Sequence, residues 1–475
     1  MFVKRFFEPK LAQTSYLIGC LEERTGIVID PNRDADQYIK AAEAEGVRIA
    51  HITETHIHAD YLSGSRELAA RTGATLYLSD EGDASWKYQF TADPGVKLLK
   101  DGDRIVVGNI LIDVVHTPGH TPEHLSFLVT DGAAANEPIA AATGDFIFVG
   151  DVGRPDLLEK AANIKGTMEV GARTLYASLK KFGGQPDWLQ IWPGHGAGSA
   201  CGKGISAIPH STMGYERRFN WAFQATSEQD FVNSVLAGQP DPPKYFAEMK
   251  RLNKEGPRVL HGFPRPELLD LRALDRHLHD GAIVIDTRKA SDFAMAHVPG
   301  TLNIPLNGSF TTWAGWLVPF TRDFYLIVDD RTPGAIDAAV RDLAMIGLDR
   351  VGGYFDCAVI DDWSAAGRRP GTIPQITVDD LRQSLARGAV TLVDVRNGNE
   401  WAEGHIASAR HIPLGYLADR VDEIPQTKPI VLQCAAGARS AIAASLLRAR
   451  GVEQVINLIG GMGEWRRAGH ETVDA

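Results

Sequence analysis

Short apolar runs that end in polar residues recur through the first half of the chain. They are typical of buried strands ending in turns, and they fall at 25–31 (TGIVIDP), 46–55 (GVRIAHITET) and 110–120 (ILIDVVHTPGH). Residues 212–238 have the spacing of one or two closing helices. The pattern predicts an α/β domain over residues 1–240, followed by a proline- and charge-rich linker at 241–264.

The second half of the chain contains an internal repeat. Residues 282–306 align without gaps on residues 390–414, with each aligned pair 108 positions apart. The pairs include Asp286 with Asp394, Arg288 with Arg396, His297 with His405 and Pro305 with Pro413. A period of this length indicates two copies of a whole small domain, which we place at 265–372 and 373–475. Each copy alternates strands with helices, which predicts a parallel sheet covered by helices.

Composition narrows the classes of function. The 475 residues suffice for roughly three domains, and the net charge of −11 provides no basic surface for nucleic acid or an anionic membrane. No apolar run reaches the roughly 18 residues of a membrane span, and the first residues lack the apolar core of a signal peptide. Four scattered cysteines argue against a disulfide framework, so we expect a reduced, cytoplasmic protein.

A cluster of potential metal ligands follows the second predicted strand. The segment 55–64, THIHADYLSG, contains His56, His58 and Asp60. Further candidates lie where other predicted strands end, and these are Asp30, His120, Asp145 and His195. A lone histidine is more often structural than a ligand, but a fold that brings these strand ends together would assemble a metal site.

The order and spacing of these residues resemble the metallo-β-lactamase superfamily, over residues 1–240 and through all five of its motifs. The resemblance implies two sheets sandwiched between helices. In the usual two-zinc site, one ion would be held by His56, His58 and His120. The other would be held by Asp60, the next residue and His195, with Asp145 bridging. Here the next residue is Tyr61, and a phenol with a pKa near 10 is a poor zinc ligand. The substitution therefore favours one metal ion per chain.

Two imidazoles and one carboxylate around a single ion are typical of non-haem Fe(II) oxygenases. The persulfide dioxygenases of this superfamily bind one iron in this way, and their ligands map onto His56, His120 and Asp145. The resemblance thus implies one Fe(II) ion per chain, with zinc as the alternative. His58, Asp60, Tyr61 and His195 would then orient ligands or contact substrate.

Arg154 and Cys201 lie near these motifs, and each has both a functional and a structural interpretation. The segment 151–158 resembles the Gly-Arg-x-Asp stretch of persulfide dioxygenases and would place Arg154 beside the metal, although a surface ion pair equally explains this arginine. Cys201 follows His195 on a glycine-rich loop, where it would either accept sulfur or remain an inert buried thiol.

The second repeat contains a cysteine at the junction of a strand and a helix. In residues 430–451, an apolar strand runs into Cys434 and a loop of small residues, and a helix begins near Ser440. Backbone N–H groups at such a helix start stabilise a thiolate. With LVDVR, EGHI and GGMGEW, the segment resembles the rhodanese sulfurtransferases over residues 374–470.

This second resemblance implies that Cys434 carries sulfur and that Arg439 steers an anionic acceptor such as sulfite. The cradling loop would be formed by Ala435, Ala436, Gly437, Ala438 and Ser440. Four residues separate Cys434 from Arg439, whereas related phosphatases have five, so the smaller ring suits sulfur. The loop has no charge before Arg439, which favours a persulfide donor over thiosulfate.

The first repeat lacks this cysteine. Its matching segment, 324–340, aligns Asp330 with Cys434 and Ala335 with Arg439, and an aspartate cannot form a persulfide. We therefore expect this copy to be a catalytically inactive spacer or docking element.

The domain order resembles bacterial persulfide dioxygenase–rhodanese fusions. The resemblance implies oxidation of a small thiol persulfide by O2 to sulfite and thiol, as in hydrogen sulfide detoxification. Sulfur transfer through Cys434 would then give thiosulfate, and self-association is common in such fusions. The alternatives are a glyoxalase-II-type thioester hydrolase with two metals, or a non-enzymatic persulfide carrier or sensor.

Overall fold

The computed structural model describes residues 1–157, 159, 166–239, 241–329 and 331–474. The chain divides into two compact units, Met1–Phe263 with Ala344–Gly347, and Pro264–Leu343 with Leu348–Ala475. Within the described residues, no helix has the length and apolar composition needed to cross a bilayer.

The first unit is built on two six-stranded sheets. The strands of the first sheet, in spatial order, are β1 (Phe2–Glu8), β2 (Gln13–Cys20), β3 (Thr25–Ile29), β4 (Arg48–Thr53), β5 (Thr75–Ser79) and β6 (Val96–Leu99). The strands of the second sheet, from the opposite edge, are β7 (Arg104–Val107), β8 (Ile110–His116), β9 (Leu125–Asp131), β10 (Ala140–Gly144), β11 (Gln190–Pro193) and β12 (Ser211–Thr212).

Helices accompany both sheets. They are α1 (Ala35–Ala44), α2 (Ser65–Thr72), α3 (Thr167–Phe182), α4 (Met213–Phe219), α5 (Trp221–Gln224), α6 (Glu228–Leu236) and α7 (Tyr245–Glu255). The stretch predicted as one or two closing helices thus contains three, because Asn220 and Ser227 each cap a new helix with their side chains.

Side-chain alternation along the strands produces a layered core. Leu17 packs with α1 and α2 on the outer face of the first sheet, whereas its neighbour Ile18 packs between the two sheets against Phe127. On the far face of the second sheet, Ile191 packs with helix residues such as Leu175. This arrangement is the helix–sheet–sheet–helix sandwich that the sequence predicts.

The segment predicted as a linker contains an ordered helix. Helix α7 buries Tyr245, Phe246, Met249 and Asn253 within the first unit. The sequence did not reveal this helix because prolines and charged residues dominate 241–264. The helix has few apolar positions, and the buried Asn253 does not add to a hydrophobic periodicity.

The second unit contains two smaller sheets. The first comprises β13 (Ile283–Asp286), β14 (Leu302–Asn303), β15 (Phe324–Val328) and β16 (Val351–Asp356), with helices α8 (Leu271–His279), α9 (Ala290–Met295), α10 (Phe310–Leu317), α11 (Ala335–Ala344) and α12 (Val359–Ala365). The second comprises β17 (Gln375–Ile376), β18 (Thr391–Asp394), β19 (Arg410–His411), β20 (Ile430–Gln433) and β21 (Val455–Leu458), with helices α13 (Val378–Ala386), α14 (Gly398–Ala402), α15 (Leu414–Leu417), α16 (Ala438–Ala449) and α17 (Gly461–Arg467).

The strands of both sheets pair in parallel. The register of β13 on β15 and of β18 on β20 shows which residues of the two copies are equivalent. Asp286 pairs with Ile327 in the first copy, and Asp394 pairs with Gln433 in the second. The residue after this partner is Val328 in the first copy and Cys434 in the second. The register therefore places Val328 where the sequence alignment had Asp330, a residue that lies outside the described ones. The separate alignment of the two central strands was therefore wrong by two residues, because an apolar run alone does not fix the register of a strand.

The first copy has its own cysteine at a different strand end. Cys357 follows β16, with its Sγ 3.7 Å from an Asp329 carboxylate oxygen. Burial and the neighbouring Asp356 and Asp329 raise the pKa of Cys357 to about 11. Its thiol is therefore protonated at neutral pH and is a poor nucleophile.

Candidate active site

The potential ligands of the first unit lie at the ends of its strands. Asp30 follows β3, the segment 54–63 follows β4, and His120 lies in the loop after β8. Asp145 and His195 follow β10 and β11, which run parallel to each other. Residues far apart in the sequence are thus gathered in one buried cluster.

Three of these residues form a compact donor set. One ligand atom each from His56, His120 and Asp145 lies within 4.8 Å of the others. The Asp145 Oδ2 atom is 4.0 Å from His56 Nε2 and 3.5 Å from His120 Nε2. All three residues are buried.

Hydrogen bonds place the ring proton of His56 and of His120 on Nδ1 and leave Nε2 unprotonated. Thr55 donates its hydroxyl to Asp30, so the contact of 2.9 Å between Thr55 Oγ1 and His56 Nδ1 uses the ring N–H as donor. His120 Nδ1 donates to the Arg154 carbonyl at 3.0 Å. Both rings therefore present an Nε2 lone pair to the cluster, which is the tautomer that binds a metal.

The protonation states also suit a metal ion. Burial lowers the pKa of His120, and burial with the neighbouring histidines lowers that of His56 well below its ordinary value, so both rings are neutral at neutral pH. His56 Nε2 and both carboxylate oxygens of Asp145 are buried without a hydrogen-bond partner. Such atoms are costly unless something compensates them, and a divalent cation would do so.

A second donor group shares this cavity. Ligand atoms of Asp60, His195 and Cys201 also lie within 4.8 Å of one another. His195 Nδ1 donates to the Ala12 carbonyl at 3.1 Å, and its Nε2 is 3.3 Å from carboxylate oxygens of both Asp60 and Asp145. The sequence placed Cys201 near the site but did not anticipate that it could replace the donor lost at position 61.

Tyr61 contributes no such donor. Its ring packs 4.5 Å from that of His58, and its hydroxyl donates to the Asp30 carbonyl at 3.4 Å. Burial, reinforced by the charges of Asp30 and Asp60, raises the pKa of Tyr61 well above its ordinary value. The phenol therefore stays protonated, and its role is to pack against the ligand segment.

Asp30 holds the imidazole of His58. Its Nε2 lies 3.1 Å from Asp30 Oδ1, and its Nδ1 is buried without a hydrogen-bond partner. Asp30 therefore supports both His58 and, through Thr55, His56. Asp30 itself adopts a left-handed backbone conformation with φ of 53°, which is uncommon for a residue other than glycine and marks a constrained turn.

Arg154 lies beside the site, but its side chain does not enter the donor set. The guanidinium makes two hydrogen bonds of 2.7 Å to Asp156, and Nη1 donates to the Ala200 carbonyl. The residue is fully buried, which is inconsistent with the surface ion pair considered from the sequence. Gly153 is required before it because a Cβ there would collide with the Asp145 carbonyl oxygen.

Asn253 on α7 is a site residue that the sequence analysis missed. Its amide donates to the His58 and Tyr61 carbonyls at 2.8 Å each, and its oxygen accepts the Ser63 N–H at 2.9 Å. A single buried side chain therefore fixes the backbone of the ligand segment at three points. No local signal reveals it, because its partners lie 190 or more positions away.

Comparison with known proteins agrees with this architecture. Residues 9–195 match the model of the Metallo-beta-lactamase superfamily, and residues 377–468 match that of the Rhodanese-like domain. A probable metallo-hydrolase of Burkholderia pseudomallei is 30% identical over 296 residues, covering 56% of this chain and 95% of that protein. The chain belongs to the metallo-beta-lactamase superfamily. It carries a rhodanese-like domain at its C-terminal end.

One solved structure and one further relative are also similar to parts of this chain. The crystal structure of a metallo-beta-lactamase from Staphylococcus aureus subsp. aureus COL is 39% identical, covers 75% of this chain and 98% of that one, and has a TM-score of 0.67. Human mitochondrial persulfide dioxygenase ETHE1 is 30% identical over 202 residues, covering 41% of this chain and 68% of that protein.

In the rhodanese-like domain of this chain, Cys434 directly follows strand β20. The Gly437 N–H donates to the sulfur at 3.1 Å, and the Ser440 hydroxyl lies 3.5 Å away. Gly437 has φ of 98°, a conformation that lets the loop turn into α16. The loop is also held by the Met462 and Gly463 N–H groups, which donate to the Cys434 and Ala435 carbonyls.

We predict that Asn253→Ala weakens metal binding by the first unit about tenfold to a hundredfold, a typical cost of losing a group that orients metal ligands. The substitution removes both donors from the buried His58 and Tyr61 carbonyls. Anaerobic competition with a chelator would measure the Kd for Fe(II) and for Zn(II). Asn233→Ala, at an exposed position on α6, is the control. An unchanged Kd for both ions would show that Asn253 does not position the ligand segment.

Proposed function

We propose that this protein is an Fe(II)-dependent persulfide dioxygenase joined to a sulfurtransferase. The net reaction of the first unit would be R–S–SH + O2 + H2O → R–SH + SO3²⁻ + 2 H⁺, and Cys434 would transfer sulfane sulfur to sulfite to give thiosulfate. The substrates would be a small-molecule thiol persulfide, O2 and sulfite.

The observation that carries the first half of this proposal is the donor set of His56, His120 and Asp145. Two neutral imidazoles and one carboxylate match the ligands of non-haem Fe(II) oxygenases. Bound iron would supply the redox capacity to transfer both oxygen atoms of O2 to the outer sulfur of the persulfide. The similarity to human persulfide dioxygenase ETHE1 supports this choice of metal and substrate.

The chain's own residues would hold this site in a fixed geometry. Asp30 and Thr55 orient His56, the Arg154 carbonyl orients His120, and Asn253 fixes the intervening backbone. Because these groups are buried, water has little access to the donor atoms. Preorganisation of this kind keeps the ligands from rearranging during a reaction.

Sulfur transfer through Cys434 is supported by the loop around its thiol. The N–H of Gly437 points at the sulfur and would stabilise a thiolate or a persulfide anion. The match to the Rhodanese-like domain model includes this loop.

The second candidate function is a metallo-hydrolase with two ions. The group of Asp60, His195 and Cys201 favours it, because the Cys201 sulfur would supply the donor that Tyr61 does not. Burial and the charges of Asp145 and Asp60 raise the pKa of the Cys201 thiol well above its ordinary value, so a second cation would have to displace its proton. The similarity to a probable metallo-hydrolase of Burkholderia pseudomallei supports hydrolysis as the type of reaction. Thioester hydrolysis by zinc-loaded protein would distinguish this function from persulfide oxidation.

Asp145→Asn tests the proposed iron site. Asparagine keeps the shape of the side chain but removes its charge, so we predict loss of bound iron and at least about a hundredfold slower oxygen uptake. Metal analysis and an oxygen electrode with glutathione persulfide would measure both effects. Asp113→Asn, on a partly exposed residue paired with Arg104, is the matched control. Normal iron content and uptake in Asp145→Asn would contradict the ligand assignment.

Cys434→Ser tests the coupling of the two reactions. Serine cannot become an anion near neutral pH, so sulfur transfer should cease while oxygen uptake continues. We predict that the product shifts from thiosulfate to sulfite, as measured by chromatography, with Cys357→Ser as the control. Unchanged thiosulfate output would assign sulfur transfer to Cys201 or to free solution chemistry. Loss of oxygen uptake would mean that Cys434 delivers the substrate instead.

A further inference from the structure

The cation that follows the Cys434 loop, Arg439, is already paired with a carboxylate. Between Cys434 and Arg439 the loop contains only alanine and glycine. The Arg439 guanidinium donates to both carboxylate oxygens of Glu400, at 2.6 Å each. Burial alone would raise the pKa of Glu400, but the hydrogen bonds from Arg439 outweigh it and lower the pKa. The pair is therefore ionised and internally neutralised at neutral pH.

Glu400 is fixed in this position by its own helix. It is the third residue of α14, where it completes a capping box by accepting the Asn397 N–H at 3.2 Å. Arg396, the nearest other arginine on this segment, is held by the buried carboxylate of Asp394 and donates to the Glu400 carbonyl. Neither arginine is therefore directed at an anion in the Cys434 loop.

We propose that Glu400 determines the donor specificity of this domain by neutralising Arg439, so that Cys434 accepts sulfur from organic persulfides, whose carboxylates lie away from the transferred sulfur, and binds the thiosulfate dianion weakly. The inference rests on the sulfur transfer proposed above. The loop offers the Gly437 N–H and the Ser440 hydroxyl to the sulfur, whereas the Arg439 guanidinium, which would bind a sulfonate, is already paired with Glu400. Thiosulfate formed there is released and does not return as a donor.

The reactions balance without a further reactant. The Cys434 thiolate attacks the outer sulfur of R–S–SH, which forms Cys434–S–SH and releases R–S⁻. The released thiolate takes the persulfide proton, which leaves Cys434–S–S⁻ and R–SH. Sulfite then attacks the outer sulfur of the Cys434 persulfide anion, the cysteine leaves as its thiol, and thiosulfate forms: Cys434–S–S⁻ + HSO3⁻ → Cys434–SH + S2O3²⁻. Thiosulfate has both of its charges next to the Cys434 loop, and the neutralised Arg439–Glu400 pair does not retain it there.

Glu400→Gln is the direct test. Glutamine also completes a capping box, so the substitution removes the charge and keeps the helix cap. With cyanide as the common acceptor, the KM of the full-length protein for thiosulfate should fall about tenfold, the gain expected from one charge-assisted hydrogen bond. The KM for glutathione persulfide should change less than about twofold. Glu403→Gln, an exposed residue three positions on, makes the same charge change as a control.

Two further variants separate charge from shape. Arg439→Ala added to Glu400→Gln should return the KM for thiosulfate to at least its original value, because the released guanidinium causes the gain. Glu400→Asp keeps the charge and should retain weak use of thiosulfate. An equal gain in the aspartate variant, an unchanged KM in Glu400→Gln, or loss of transfer from both donors in that variant would overturn the inference. Failure of the unmodified protein to use any donor would instead refute the proposed sulfur transfer.

Discussion

Two buried carboxylates near one another, Asp60 and Asp145, have oxygens without hydrogen-bond partners, and the rest of the first unit is organised around them. Each carboxylate also has an oxygen 3.3 Å from the Nε2 atom of His195. Uncompensated charge in a buried site destabilises the fold, whereas a bound cation would turn the same atoms into ligands. The strand ends, the constrained turn at Asp30 and the helix that carries Asn253 all maintain this arrangement.

The two proposed catalytic sites would stabilise anionic or electron-rich sulfur in different ways. The first unit would use a metal ion held by side chains, whose hydrogen bonds fix the ring nitrogens that face it. The rhodanese-like domain would use the Gly437 N–H beside Cys434 and keeps Arg439 paired with Glu400. Such a division suits successive reactions on sulfur, since oxidation needs a redox centre and transfer needs a nucleophile.

The sequence predicted the site residues that neighbouring residues mark as part of a motif. It missed those whose role depends on contacts with residues far away along the chain. His56, His120 and Asp145 follow apolar strands in recognisable motifs, so their convergence could be predicted. Asn253 could not be predicted, because its three partners lie far away in the sequence and its helix has few apolar positions. The position equivalent to Cys434 in the first repeat was also misplaced, because only strand register distinguishes Val328 from Asp330.

The central claim is that one iron ion on His56, His120 and Asp145 oxidises a persulfide with O2. The most direct measurement reconstitutes anaerobic apoprotein with Fe(II) or Zn(II), adds glutathione persulfide and a limiting amount of O2, and quantifies oxygen consumed and sulfite plus thiosulfate formed. The account predicts one O2 consumed per sulfur atom oxidised, in proportion to bound iron, and no uptake with zinc. Iron-loaded protein that leaves O2 untouched while zinc-loaded protein cleaves a glutathione thioester would contradict it.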